Sequence, residues 1–304
     1  MANPSKKIAL VLSSGGARGL AHIGAIEVLQ ENGYSITSIS GSSMGALVGG
    51  LFAAGKLEEF KKWAEGMDKM DILSLIDFTI SNKGIVKGEK VFDKMQKLNM
   101  IPDINIEDLP IPYTAVAVDI INNKKVIFTK GSLIKAIRAS ISIPSVFTPM
   151  PYTDSLLVDG GVLSPLPIEH IHRTKGDMLV AVDVNALIPY NKPFLSNEEG
   201  DKTWLNNEKI QALFKKWDNL FGHEEKDSEQ KVKKPNNKNI GYYSLLVRSL
   251  QLMQTQLTQY AIELQQPKLV IPISQKSATA FEFYRSKELI EYGRIQCRKA
   301  LKKL

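Results

Sequence analysis

The sequence predicts an α/β fold with a mostly parallel central sheet, and two observations carry that prediction. Short apolar runs recur along the chain, and several are continuous rather than alternating, as strands buried on both faces are. Helical patterns lie between them, and strands that alternate with helices argue for a parallel sheet covered on both sides. The runs are Ile8–Leu12, Ile36–Ser40, Tyr113–Val118, Lys125–Phe128, Leu179–Val184 and Leu269–Ile273. The helical stretches are Leu20–Glu31, Met44–Ala54, Leu57–Met67, Lys90–Leu98 and Leu133–Ala139. Pro165 and Pro167 stand where a further helix opens, with Ile168–His172 as its body. A last helix over Ser286–Leu301 carries Leu289, Ile290, Tyr292 and Ile295 as its apolar residues. Its basic end (Arg294, Arg298, Lys299, Lys302, Lys303) suits the negative end of the helix dipole.

With 304 residues, 43% of them hydrophobic and 23% charged, the chain is long and apolar enough to bury a core as one large domain or two ordinary ones. Cys297 is its one cysteine, which rules out an internal disulfide and fits a reducing compartment. The apolar run after Lys6 and Lys7 is too short for a secretory signal, and Ala46–Ala54 is too short to cross a bilayer. A cytoplasmic protein, at most peripheral to a membrane, is the expectation. The net charge of +7 favours anionic partners, nucleic acid or an acidic membrane surface, without choosing between them.

Composition changes over residues 191–240, where Lys226–Lys234 is rich in charge and Pro235-Asn236-Asn237 breaks structure. The expected organisation is a catalytic core over residues 7–190, a mobile charged excursion over 191–240, and residues 241–304 completing the same domain. Within the excursion, Ile210, Leu213, Phe214, Trp217, Leu220 and Phe221 recur at helical spacing, flanked by Lys209, Lys215 and Lys216. Two readings stand: a lid that lies in a membrane interface, or a stripe that packs on protein.

Gly41-Ser42-Ser43-Met44-Gly45 fits G-x-S-x-G, and a strand leads in while a helix rich in small residues leads out. That setting is a nucleophile elbow, with Ser43 on a strained turn that bulky residues at positions 41 and 45 would obstruct. The helix that begins at Met44 points its N–H groups and dipole towards Ser43, favouring negative charge there. A second glycine loop, Ser13-Ser14-Gly15-Gly16-Ala17-Arg18-Gly19, follows the first strand. As a dinucleotide fingerprint it lacks the first glycine and the later acid, and as a Walker loop it lacks G-K-[ST]. An oxyanion hole made by Gly15, Gly16 and Ala17, facing a carbonyl attacked by Ser43, is preferred. Arg18 fixes that loop or positions an anionic head group.

The serine needs a base. His22, His170, His172 and His223 are the only histidines, and none sits in a loop after a late strand, where an α/β-hydrolase histidine would be. Asp119, Asp159 and Asp183 each end an apolar run and so reach the same crevice. Gly160-Gly161 after Asp159 leaves room beside its carboxylate, which ranks it slightly above Asp183.

The glycine–arginine loop, the elbow and Asp159-Gly160-Gly161, in that order, resemble the patatin-like phospholipases, in particular bacterial members related to the catalytic domain of neuropathy target esterase. Ala139-Ser140 followed by Pro144, and Glu288-Leu289-Ile290 with Gly293, extend the resemblance over Lys7 to about Tyr190 and again over Tyr242–Leu301. It implies a three-layer α/β/α fold, a Ser43–Asp159 dyad without histidine, an oxyanion hole at Gly15 to Arg18, and no metal or cofactor. It also implies hydrolysis of lipid esters; with the positive charge, peripheral attachment to an anionic membrane and no nucleic acid partner is the expected association. Ser14, in place of a usual glycine, is a departure that bears on the oxyanion hole. A Ser–His–Asp esterase using His170 or His172, and a lipid-binding protein of the same fold without turnover, are the alternatives.

Overall fold

The computed structural model describes residues 6–75, 89–144, 147–195 and 242–304. The stripe from Ile210 to Phe221 and the charge-rich stretch Lys226–Lys234 lie outside the described residues. The chain divides into two compact units, Met1–Pro193 with Gln254–Leu304, and Phe194–Met253.

The first unit is built on an eight-stranded sheet. Its strands are β1 (Lys6–Leu12), β2 (Tyr34–Ser42), β3 (Tyr113–Asp119), β4 (Lys124–Phe128), β5 (Met150–Tyr152), β6 (Ser155–Asp159), β7 (Met178–Ala186) and β8 (Leu269–Ser274). β3, β2, β1, β7 and β8 run parallel in that order, whereas β4 and β6 are antiparallel to β3. The central strand β1 shows why the sequence reads as a continuous apolar run. Ile8, Leu10 and Leu12 join a large cluster with Ile23, Ile26, Leu289 and Ile290, while Ala9 and Val11 join a second with Leu166, Ile168 and Leu179. Both faces are covered, so no position is left for a polar residue. Each of the three large β1 side chains, fully buried, contributes about 1.5–3 kcal/mol.

The helices are α1 (Ala21–Glu31), α2 (Met44–Ala53), α3 (Leu57–Glu65), α4 (Lys69–Leu75), α5 (Glu89–Lys97), α6 (Leu133–Ser140), α7 (Tyr242–Gln265) and α8 (Ser286–Leu301). None of the described helices is long and apolar enough to cross a membrane. In the second unit, the described part of α7 exposes Leu245, Leu246, Leu250, Leu252 and Met253.

One expected helix is corrected. Residues Ile168–His170 form only a single 3₁₀ turn, and Ile171 is already extended (ψ 133°). Serines of β2 hold this segment along the sheet: Ser40 donates to the Pro167 carbonyl at 3.2 Å and Ser38 to that of His172. Carbonyls engaged in this way favour an extended path over further helical turns.

β3 decides where the site forms. β4 pairs with Ala115–Asp119 and so occupies one edge of the strand. β2 pairs with Tyr113–Val116 and β6 with Ala117–Asp119, so these two share the other edge and meet end to end. Val116 faces Ser42 and the next residue, Ala117, faces Asp159. The residue after β2 and the last residue of β6 are thereby brought together.

Candidate active site

Ser43 is the residue between β2 and α2, with φ 55° and ψ −124°. A non-glycine residue there is strained by about 1–3 kcal/mol and persists only where its surroundings fix it. Gly41 and Gly45 allow the turn: a Cβ on Gly41 would stand 2.3 Å from the Gly45 backbone, and one on Gly45 2.3 Å from the Leu12 carbonyl. The Ser43 N–H donates to Ser140 Oγ at 2.9 Å, and that hydroxyl donates to the Val116 carbonyl at 2.6 Å. Ser140, at the end of α6, therefore ties the elbow to β3. Met44 begins α2 and is buried against Gly19, where an added Cβ would meet its side chain at 2.3 Å.

Asp159 is 4% exposed. Its Oδ1 accepts from the Gly161 N–H at 2.7 Å, and its Oδ2 has no hydrogen-bond partner among the described residues. Burial pushes its pKa up to about 7, opposed by the Ser43 hydroxyl and the Gly161 N–H. Ser43 is thus near enough to favour the charged carboxylate, although the two do not meet full hydrogen-bond geometry. A Cβ on Gly160 would lie 2.1 Å from the Val116 carbonyl and 2.4 Å from Ser42 Oγ. Gly160→Ala is expected to lower stability by about 2–3 kcal/mol, the scale of overpacking, and to force β6 away from β2. Urea unfolding together with an esterase assay checks this, and a variant as stable and active as wild type would contradict it.

In the glycine loop, Gly15 has φ 164° with ψ 16°, and Gly16 has φ 57°. The Ser14 N–H donates to Pro165 O at 2.7 Å and that of Ala17 to Ala280 O at 2.9 Å. The N–H groups of Gly15 and Gly16 have no protein acceptor among the described residues, and Gly16 faces the same pocket as Ser43. Arg18 is buried and anchors the loop, donating to Val184 O (3.1 Å), Ala278 O (2.9 Å) and Asn185 Oδ1 (2.9 Å). Burial lowers its pKa to about 10, and the charges of Asp183 and Glu282 oppose that fall.

The other candidate bases are occupied elsewhere. Asp119 accepts from Ser155, Asn122 and the N–H of Ile121, which hold it well below the usual carboxylate range. Asp183 is pushed up to about 6 by burial and accepts from the Asn185 N–H at 2.9 Å, with Arg18 as its charge partner. His22 is buried with Nε2 at 2.9 Å from Ser13 O, and burial lowers its pKa to about 4. His170 Nε2 lies 3.3 Å from Glu169 Oε1, close enough for an ion pair but without hydrogen-bond geometry. None of the described histidines lines the pocket at Ser43, and His223 lies outside the described residues.

That pocket has a cavity volume of about 110 Å³. Its walls are apolar: Met44 and Leu47 of α2, Phe60 and Trp63 of α3, Met95 of α5, and Phe147 and Phe281 from loops. A strained serine, a buried carboxylate beside it, free backbone donors and an apolar pocket are the parts an acyl transfer site needs.

A family model described as patatin-like phospholipase matches residues 10–172. The chain belongs to the patatin-like phospholipase family. An uncharacterized NTE family protein of Mycobacterium tuberculosis is 35% identical over 334 aligned residues, covering 98% of this chain and 92% of that one. The neuropathy target esterase sws of Drosophila melanogaster is 33% identical over 219 residues, 69% of this chain and 14% of its own. The mouse patatin-like phospholipase domain-containing protein 7 is 35% identical over 186 residues, 59% of this chain and 14% of its own. The resemblance read from the motifs is thus the family to which the chain belongs, and its α/β fold on a mostly parallel sheet is the patatin-like fold. In this patatin-like chain, sequence reasoning missed the parts played by Asn185 and Ser140. Asn185 accepts from Arg18 and donates to Ser14 O at 2.7 Å. Ser140 had a signal in Ala139-Ser140, but no local pattern tells that its hydroxyl holds the Ser43 N–H.

Proposed function

We propose that the protein is a serine lipid acyl hydrolase of the phospholipase A, lysophospholipase or carboxylesterase type, with Ser43 as nucleophile and Asp159 as base. The observation that carries the reading is the meeting of β2 and β6 on one edge of β3, with a strained serine beside a buried carboxylate at an apolar pocket. Ser43 Oγ attacks the ester carbonyl carbon as its proton passes to Asp159. The N–H groups of Gly15 and Gly16 receive the oxyanion; Ala17 and Arg18 hold the loop in shape. When the intermediate collapses, the alcohol leaves with the proton from Asp159 and the acyl group remains on Ser43. Water then attacks the acyl-enzyme, returns a proton through Asp159 to Ser43, and frees the carboxylic acid. A base near neutral pKa is well matched to this shuttle.

A fluorophosphonate tests the nucleophile. Wild type is expected to gain one adduct by mass, mapped to the peptide that carries Ser43, and Ser43→Ala to gain none. Labelling of another residue would overturn the assignment.

The apolar pocket takes the acyl chain. Leu47, 6% exposed, lines it, so Leu47→Trp fills space that a chain would occupy. The expected result is a fall of about tenfold in kcat/KM for a p-nitrophenyl decanoate with little change for the acetate. An equal loss on both esters would place the chain elsewhere. The net charge of +7 supports peripheral attachment to an anionic membrane. Co-sedimentation with phosphatidylserine vesicles that is weakened by salt is expected, and equal binding to zwitterionic vesicles would contradict the electrostatic part.

A further inference from the structure

We infer that Asn185, near the end of β7, is a positioning residue: by holding the Ser14 carbonyl it aims the Gly15 N–H at the oxyanion. The inference rests on the dyad and glycine loop proposed above and deepens that reading.

β1 lies between β2 and β7 in the sheet. The glycine loop leaves the end of β1, so Ser43, which follows β2, stands on one side of it and Asn185 on the other. The pairing of β1 with β7 runs on into the loop. The Ser13 N–H donates to Val182 O at 3.1 Å, and the Val184 N–H donates to Ser13 Oγ at 2.9 Å. One residue further, Asn185 Nδ2 donates to Ser14 O at 2.7 Å. Ser14 O and the Gly15 N–H belong to one planar trans peptide, so they point in opposite directions. A carbonyl turned to Asn185 therefore leaves the Gly15 N–H turned away from β7, to the side where Ser43 stands. That N–H has no protein acceptor among the described residues, and the neighbouring Gly16 lines the pocket at Ser43.

The aim needs a device, because glycine at position 15 leaves the peptide before it free to rotate. An amide side chain fits the task. Arg18 Nη2 donates to Asn185 Oδ1 at 2.9 Å, and a guanidinium can only donate. The Ser14 carbonyl can only accept. The side chain between them must offer one acceptor and one donor, which also fixes which way the amide faces. Asn185 is 5% exposed, and its own N–H donates to Asp183 Oδ1 at 2.9 Å, so it is held from the backbone outward. It does not line the acyl pocket, so its effect on the reaction passes through Gly15. Full negative charge reaches the carbonyl oxygen only as Ser43 attacks. A misdirected N–H therefore lowers kcat and leaves substrate binding alone.

The test compares wild type, Asn185→Asp and Asn185→Ala on a p-nitrophenyl ester, with an alkyl trifluoromethyl ketone as inhibitor. The ketone adds Ser43 Oγ to its carbonyl and so carries an oxyanion of its own. Aspartate keeps the shape and the acceptor for Arg18 but loses the donor; alanine loses both and brings no charge. In each variant kcat is expected to fall about ten- to hundredfold, less than the roughly 10²–10³ that one oxyanion donor is worth. KM stays within about threefold, and the inhibition constant of the ketone rises in step with the fall in kcat. An unchanged kcat in Asn185→Ala, with a loss in Asn185→Asp alone, would trace the effect to charge and overturn the inference. Losses of kcat, substrate affinity and urea midpoint together, or two variants too unstable to assay, would make Asn185 a support of the fold and overturn it equally. A wild type whose Ser43 takes neither the ketone nor a fluorophosphonate would instead sink the dyad reading.

Discussion

If Ser43 is the nucleophile proposed above, Ser43→Ala is expected to lower hydrolysis of a p-nitrophenyl ester by about 10⁵- to 10⁶-fold, leaving only the weak background of the rest of the site. The size of the loss follows from what the hydroxyl does: without it no covalent intermediate forms, and the Asp159 carboxylate has no proton to take. The backbone is unchanged, because the N–H of residue 43 still donates to Ser140 and residue 43 keeps φ near 55°. Loss of activity in a folded variant is therefore a statement about chemistry. A companion, Ser43→Gly, separates strain from function. Glycine accepts positive φ without the Cβ penalty, so this variant is expected to be about 1–2 kcal/mol more stable than wild type while equally inactive. Urea midpoints measure the first claim and ester hydrolysis the second. Activity that survives in Ser43→Ala would mean that the site lies elsewhere. A Ser43→Gly variant no more stable than wild type would mean that the elbow stores no strain.

Much of this site was legible because its parts are local. The elbow spans Gly41 to Gly45, and the sequence alone carries the strand, the turn glycines and the helix that make it. The glycine loop is similar: Gly15 and Gly16 follow β1 directly, and the parallel neighbours β1 and β2 deliver both turns to one end of the sheet. Asp159 was legible as the end of an apolar run followed by Gly160-Gly161, and by the motif of the resemblance, but not by its place in the sheet. β6 has five residues and pairs antiparallel to β3, unlike the five parallel strands, and its place is set by the free half of β3's edge beyond Val116. No periodicity encodes that continuation, since it depends on where β2 stops. The same holds for Ser140 and Asn185, which reach the site through hydrogen bonds from distant parts of the sequence. The expected helix over Ile168–His172 failed for a related reason. Local propensity was overridden by hydroxyls of Ser38 and Ser40 on a strand distant in sequence.

Asp159→Asn joins catalysis to stability, and its two readouts run in opposite directions. Hydrolysis is expected to fall by about 10²- to 10⁴-fold, since the amide cannot accept the Ser43 proton. In wild type, kcat/KM should rise with pH through about 7 and level about one unit above it, because the proposed working form of Asp159 is the carboxylate. Stability behaves otherwise. The folded pKa of about 7 lies above the ordinary aspartate value of 3.8, so between those values the folded chain holds a proton that the unfolded chain has released. Stability from this group is full below about pH 4, falls as pH rises, and is lost once pH passes about 7. The raised pKa corresponds to about 4 kcal/mol carried as a penalty by the ionised form above neutrality. The amide introduced by Asp159→Asn does not ionise, so the variant should be more stable than wild type by up to that amount at about pH 8 and nearly equal to it at about pH 4. Urea unfolding at the two pH values decides the matter. A stability difference that stayed constant with pH would show that Asp159 ionises as an ordinary carboxylate, and the argument for a base tuned by burial would fail with it. A difference that grew with pH in a chain that no longer hydrolyses esters would tie the cost of burying Asp159 to its catalytic use.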